Sequence, residues 1–180
     1  IDPLDGTRNY AMQIPFFCTT VALIKDDEVL MGLTYDPMRQ ELFSAIRGRG
    51  AFLNQSPVRA SCKKVLAEAM LSYDLGDLDH AAFALEMLIN IVPNIGSTRL
   101  LGSTALGLAY TACGRTDIYF HNGLMPWDLA SGLLLVLESG GLISDKQGET
   151  ASLSSRSVIA SGYDLHESFF SAIENEKWRH

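Results

Sequence analysis

The chain has 180 residues, 47% of them apolar and 19% charged, with a formal net charge of −7. It can bury a sizeable core and is not disordered, and its acidic balance argues against the basic face that non-specific nucleic-acid binding needs. Cys18, Cys62 and Cys113 lie far apart with no C-x-x-C spacing, which argues against a disulfide framework or zinc site and for a reducing, cytoplasmic setting. No segment reads as a signal peptide or as an apolar run long enough to cross a bilayer.

The first stretch is Ile1-Asp2-Pro3-Leu4-Asp5-Gly6-Thr7, followed by Arg8-Asn9. Two carboxylates held close on a stiffened turn raise each other's pKa. A divalent cation removes that repulsion, and oxygen-only ligands suit a hard ion such as Mg²⁺. Gly6 lets a backbone N–H approach an anion closely, and Thr7 offers a hydroxyl and the opening of a short helix whose free N–H groups attract phosphate. In isolation, D-P-x-D reads equally as an Asp-Pro turn with a helix cap.

Residues 16–24 are β-branched and aromatic-rich and predict a strand buried on both faces. Residues 25–28 form a charged turn and 29–35 the return strand of a hairpin. Asp36-Pro37 marks a further turn, and residues 41–45 a third strand. Arg47-Gly48-Arg49-Gly50 reads as a tight bend into a strand at 51–53, in preference to a phosphate grip, and residues 54–57 read as a loop. Residues 65–72 fit strand or helix. Residues 78–91 carry apolar side chains at helical spacing, Phe83, Met87 and Ile91 among them, with Pro93 beyond. A short strand with Arg99 follows at 95–101. Gly102-Ser103-Thr104 opens a helix over 105–113, stopped by Gly114. A strand at 117–120 precedes a helix from Pro126 to Glu138, ended by Gly140-Gly141. Residues 142–143 and 158–160 read as strands around a polar loop at 147–155, and residues 165–178 as a terminal amphipathic helix. An antiparallel meander followed by alternating helices and strands predicts an α/β layered protein with a mixed sheet. Its division is expected at residues 1–57, the rest of an antiparallel-sheet subdomain with the first motif, and 58–180, an α/β subdomain with the second.

The second motif is Pro126-Trp127-Asp128-Leu129-Ala130, which runs into an apolar helix. Asp128 lies in the first turn, where the helix dipole favours an ionised carboxylate. Alone it reads as a cap; with Asp2 and Asp5 it makes a third carboxylate for a cation cluster. D-P-L-D-G-T-R-N at 2–9 and W-D-L-A-S-G with E-S-G-G at 127–141 resemble the two signature motifs of the inositol monophosphatase family, Mg²⁺-dependent, lithium-sensitive phosphomonoesterases. Residues 47–54 and 102–106 are similar to that family's hairpin and helix-opening patterns.

The resemblance implies an α-β-α-β-α layered sandwich of the inositol monophosphatase and fructose bisphosphatase type. It implies two or three Mg²⁺ ions, with Asp2 bridging two of them, the Leu4 carbonyl oxygen on one, and Asp5 and Asp128 on the second. Gly6 and Thr7 N–H groups would hold the phosphate, and the Thr7 hydroxyl, together with Asp5, would serve the attack by water. Gly102, Ser103 and Thr104 would contact the alcohol. Two close cations activate water and stabilise the attacking and leaving oxygens, and phosphoryl transfer needs charge neutralisation and in-line positioning more than covalent help. At His121 the inositol-selective pattern has a Glu. A His there donates as well as accepts and reads either as a contact favouring another alcohol or a more anionic substrate, or as a polar strand end in solvent. His80, His166 and His180 read as surface residues.

The expected partner is a small-molecule phosphate ester, with no nucleic-acid polymer and no membrane; relatives of this kind are often homodimers, and a homodimer stays open here. The sequence begins without Met and with one apolar residue ahead of the first motif, so it reads as the C-terminal part of a longer protein, lacking the N-terminal part of the fold. The family pattern includes a Glu pair and an Asp before the first motif. Without them this chain is expected to bind metal weakly, to turn over slowly, and to expose apolar sheet surface. The activity expected is hydrolysis of a sugar or polyol phosphate such as inositol 1-phosphate. Alternatives are a related phosphatase acting on histidinol phosphate, fructose 1,6-bisphosphate or a 3′-phosphonucleotide, and a non-catalytic relative.

Overall fold

The computed structural model describes residues 1–76 and 78–179, with 78–80 described by their backbone only. Strands β1 (Asp2–Asp5), β2 (Cys18–Lys25), β3 (Glu28–Asp36), β4 (Glu41–Ile46), β5 (Ala51–Leu53) and β6 (Ser56–Pro57) form an antiparallel sheet in chain order, with a short helix α1 (Thr7–Ala11) between the first two. Short charged or glycine-containing turns allow this meander: Asp26 and Asp27 adopt positive φ in the β2–β3 turn, as tight hairpins require. The segment at 54–57, expected as a loop, ends in the edge strand β6.

The second sheet is mixed. Its strands are β7 (Met70–Tyr73), β8 (Ser97–Leu100), β9 (Ile118–Asn122), β10 (Gly141–Ser144) and β11 (Ser157–Gly162), ordered β10-β11-β9-β7-β8. β7 runs parallel to β8 and β9, while β9, β11 and β10 are antiparallel. The ambiguous stretch at 65–72 resolves into a 3₁₀ turn at Leu66–Glu68 and then β7. Four further helices are α2 (Leu78–Ile91), α3 (Thr104–Ala112), α4 (Pro126–Glu138) and α5 (Tyr163–Ala172).

Side-chain alternation along the central strand sets the layers. Tyr119 on β9 joins the core made with α3, α4 and the first sheet, whereas Ile118 and Phe120 join the core made with α2 and α5. Val158 and Ala160 on β11 face the first core and Ile159 the second. The described residues therefore stack sheet, helix pair, sheet, helix pair. α4 lies in the middle and is buried from Leu129 to Val136, which is why its sequence is apolar all round. Its rotation is keyed by a hydroxyl chain, Thr20 to Thr34 (3.1 Å) to Ser131 (3.0 Å).

Four local expectations are corrected. β2 is not buried on both faces. Its inner face carries Cys18 and Thr20, and its outer face joins Leu23, Tyr35, Leu42 and Ile46, which are 54, 41, 39 and 48% exposed. An apolar run shows that two faces are apolar, not that both are covered. Phe83 lies on the open side of α2, while Met87 and Ile91 are buried as their spacing predicts, together with Ala84 and Leu88. The terminal helix ends at Ala172. A 3₁₀ turn at Lys177–Arg179 then brings Trp178 edge-on to Phe120, 5.2 Å between ring centres. His166 is not a surface residue: it bridges Ser144 (2.9 Å) and Ser161 (2.8 Å), and burial pushes its pKa down to about 4. The side chain of His80, and His180 altogether, lie outside the described residues.

The Arg47–Gly50 bend does bind an anion, but an internal one. Gly48 and Gly50 N–H donate to the two oxygens of Glu138 at 2.7 and 2.8 Å. A carboxylate at a helix C-terminus is disfavoured by the dipole, and these two donors offset that while anchoring the end of α4.

The uncovered face of the first sheet makes a prediction. An exposed apolar surface of this kind associates, so residues 1–180 alone should self-associate in light scattering. Replacing Leu23 and Ile46, which flank Met31 in one row across β2, β3 and β4, together by Lys should shift the mass towards monomer with helical circular dichroism unchanged; an unaltered mass would place the association elsewhere.

Candidate active site

Alternation in a strand sends residues three apart to opposite faces, yet Asp2 and Asp5 bring carboxylate oxygens close to one another. The register explains how. Asp2 pairs with Thr20 and Asp5 with Cys18, so β1 holds one residue more than β2 across that interval. The extra residue is a bulge, and Pro3, which has no N–H to donate, sits in it as bulges permit. The bulge reverses the parity of the strand and brings both carboxylates to one side. Asp128, in the first turn of α4, approaches from across the cleft, and one oxygen from each of Asp2, Asp5 and Asp128 lies within 4.8 Å of the others.

Each carboxylate also has a local role. Asp2 Oδ1 accepts from Leu4 N–H (3.0 Å), and Asp128 Oδ2 from Met125 N–H (2.9 Å) at the start of α4. Asp5 Oδ2 accepts from the Ser103 hydroxyl (2.6 Å) and Ala105 N–H (2.8 Å) at the start of α3. Asp5 Oδ1 has no hydrogen-bond donor among the described residues. Burial raises the Asp5 pKa, against the lowering by Ser103 and Ala105, and Asp2 and Asp128 raise it further. Asp128 is raised by burial first and then by Asp2. Three carboxylates this close, two of them shifted upward, leave a deficit of positive charge, and their all-oxygen donor set fits a hard divalent cation.

Gly6 turns the chain out of β1 with φ of 87°, in the left-handed region, and a Cβ there would lie 3.0 Å from the Phe16 carbonyl. The first helical hydrogen bond of α1 is Tyr10 N–H to Gly6 O (3.0 Å), so the preceding N–H groups have no partner within the helix. The Thr7 hydroxyl donates to the Leu4 carbonyl at 2.9 Å. Its proton is committed there, and its lone pairs remain to accept.

These groups line one cleft of about 670 Å³, together with Arg8, Asn9, Asp74, Leu75, Gly76, Leu100, Gly102, Ser103, Thr104, His121 and Trp127. His121 Nδ1 lies 2.9 Å from Thr104 Oγ1, so the residue at this strand end belongs to the cleft. The sequence-predicted residues Asp2, Leu4, Asp5, Gly6, Thr7, Gly102, Ser103, Thr104, His121 and Asp128 thus all come together. Asp74 and Arg8 were missed. Arg8 was legible as a basic residue inside the first motif, while Asp74 lay in a segment with no pattern of its own.

The profile of the inositol monophosphatase family matches residues 1–177. Inositol monophosphatase 2 of Solanum lycopersicum is 37% identical over 98% of this chain and 68% of its own length. Nus factor SuhB of Xylella fastidiosa is 41% identical over 84% of this chain and 56% of its own. The structure of extragenic suppressor protein suhB from Bartonella henselae superposes with a TM-score of 0.92 at 35% identity, over 96% of this chain and 67% of that one. The chain thus spans about two thirds or less of the length of these relatives. The bulged Asp pair, the facing Asp128 and the layers that carry them are covered by that match from end to end, and the chain belongs to the inositol monophosphatase family.

Proposed function

We propose that the protein is a Mg²⁺-dependent phosphomonoesterase acting in the cytoplasm on a sugar or polyol phosphate such as inositol 1-phosphate. The observation that carries this is the convergence of Asp2, Asp5 and Asp128 oxygens within 4.8 Å. Asp2, Asp5, Asp128 and the Leu4 carbonyl would hold the cations. Paired divalent cations neutralise a phosphate and lower the pKa of water.

The chain's own groups supply the positioning. Ser103 and Ala105 fix Asp5 by one oxygen. The N–H groups at Gly6 and Thr7, on the cleft wall and ahead of the first hydrogen bond of α1, would serve as phosphate donors. Thr7 Oγ1, its proton held by Leu4 O, accepts from a water and so aims that water's oxygen at phosphorus. Gly102, Ser103, Thr104 and His121 border the space left for the alcohol. Trp127, lining the cleft and 51% exposed, supports a second reading, since an indole face can stack a base: a 3′-phosphonucleotide as substrate.

Phosphate release from inositol 1-phosphate, fructose 1,6-bisphosphate, histidinol phosphate and adenosine 3′,5′-bisphosphate separates these. The polyol ester should be preferred, and a nucleotide preference would select the second reading. Asp5→Asn and Asp128→Asn should each weaken Mg²⁺ binding in calorimetry by more than about 100-fold and remove phosphate release; variants that bind as the parent does would refute the site.

The family pattern places a Glu and an Asp ahead of the first motif, so residues 1–180 alone should bind Mg²⁺ weakly and turn over slowly. A rate comparable to that of a full-length relative would count against this.

The raised pKa values of Asp5 and Asp128 fix a pH dependence. Protons and cations compete for the same oxygens. Both groups take up protons at a higher pH than ordinary carboxylates, so Mg²⁺ affinity should fall as pH is lowered, starting above the ordinary carboxylate range, and binding should release protons. Calorimetry in buffers of different ionisation enthalpy reads that release; an affinity that does not fall as pH is lowered towards the carboxylate range would contradict it.

A further inference from the structure

Asp74 lies one residue beyond β7, where the strand enters the cleft, and is only 7% exposed. It is not part of the carboxylate cluster. Its Oδ1 accepts from Gly102 N–H, and its Oδ2 accepts from the phenol of the fully buried Tyr119 at 2.8 Å. A buried carboxylate is costly unless its oxygens are paired, and here both are spent on fixing neighbours.

The neighbour it fixes matters. Asn9 Nδ2 donates to Leu101 O at 2.9 Å. The peptide unit between Leu101 and Gly102 is therefore held at its carbonyl by Asn9 and at its N–H by Asp74. Gly102 has φ of 80°, and a Cβ there would lie 2.7 Å from the Asn9 amide, so the turn has little room to shift. The next side chain, Ser103, donates to Asp5 Oδ2, as does Ala105 N–H two residues on.

We propose that Asp74 is a positioning residue: by fixing the Leu101–Gly102 peptide it aims the Ser103 hydroxyl and Ala105 N–H at Asp5, and so sets the Asp5 carboxylate within the cluster. This rests on the reading of that cluster as a cation site. Groups of this kind, one step behind a metal ligand, typically change affinity 10–100-fold when removed.

The test uses Mn²⁺ as probe, with free ion read by electron paramagnetic resonance, and amide exchange of Ala105 in the metal-free protein. Asp74→Ala should weaken Mn²⁺ binding about 10–100-fold and speed exchange at Ala105. Asp74→Asn, which keeps an acceptor for Gly102 N–H, should restore most of both. The double variant Asp74→Ala/Ser103→Ala should bind no more weakly than Ser103→Ala alone, because both changes break one chain. If Asp74→Ala does not fold, Asn9→Ala, which frees the Leu101 carbonyl of the same peptide, carries the comparison: it should weaken Mn²⁺ binding and speed exchange at Ala105, and add nothing on top of Ser103→Ala. Additive losses would reduce Asp74 to a structural role. Asp74→Ala binding like the parent, while Asp128→Asn has lost binding, would overturn the positioning role and leave the cation site standing. Retained binding in Asp128→Asn, or none in the parent, would overturn the cation site and this inference with it.

Discussion

The Asp5 carboxylate is the point at which the molecule is joined. It ends the edge strand of the first sheet, and through Oδ2 it receives two hydrogen bonds from the N-terminus of α3, the helix packed between the sheets. A helix N-terminus favours a negative charge, yet the Asp5 pKa is raised, with burial the largest single cause. Asp2 and Asp128 push it further in the same direction. The fold thus secures α3 with a charge that its surroundings only partly compensate. Turn and cap chemistry accounts for one oxygen of each Asp: Asp2 on Leu4, Asp128 on Met125, Asp5 on Ser103 and Ala105. It gives no reason for three carboxylates from two distant stretches to converge. Three caps would serve equally well apart, and apart they would avoid the repulsion.

The convergence depends on where α4 sits. A helix of 13 residues is about 20 Å long, so an error of one residue in its axial position would carry Asp128 out of reach. Both ends are pinned. Glu138 takes two N–H groups from the Gly48–Gly50 bend, and Asp128 itself takes the Met125 N–H. Between them the Thr20–Thr34–Ser131 hydroxyls set the rotation against β2 and β3. Polar contacts in an otherwise apolar interface specify one arrangement, and here that arrangement is the one that presents Asp128 to β1.

Much of this was legible in the sequence because it is local. The bounds of α4 follow from Pro126 and the Gly140-Gly141 stop, and the β2–β3 hairpin follows from its charged turn. Both motifs that supply the cluster are contiguous runs. What escaped is what links distant residues or depends on what covers a face. Residues 16–24 are apolar on both sides, and nothing in their pattern tells a covered face from a bare one. The bulge at Pro3 is set by register against β2, so the shared side of Asp2 and Asp5 could be inferred only from the chemistry they would perform together. Asp74 is 28 residues from Gly102 and 45 from Tyr119, just past the ambiguous stretch at 65–72, in a segment with no pattern of its own. His166 sits on an amphipathic helix, where polarity suggests solvent; its partners Ser144 and Ser161 lie on two other strands.

The charge of the cleft constrains the order of events at the site. Its lining includes Asp2, Asp5, Asp74 and Asp128, against Arg8 as the single Lys or Arg among the described residues. A phosphate dianion approaching those carboxylates alone meets net repulsion that one exposed guanidinium does not cancel. On the proposed reading, cations would reverse the sign of the potential, so cation and phosphate ester would each raise the other's affinity, by reciprocal linkage. The negative net charge is consistent with this. The protein needs no positive surface to recruit an anion when its own acidic residues assemble the positive charge at the place where it is used. On the same reading, selectivity among esters would fall to the side of the cleft that carries little charge, around Gly102, Thr104, His121 and Trp127, where the alcohol rather than the phosphate would be in contact.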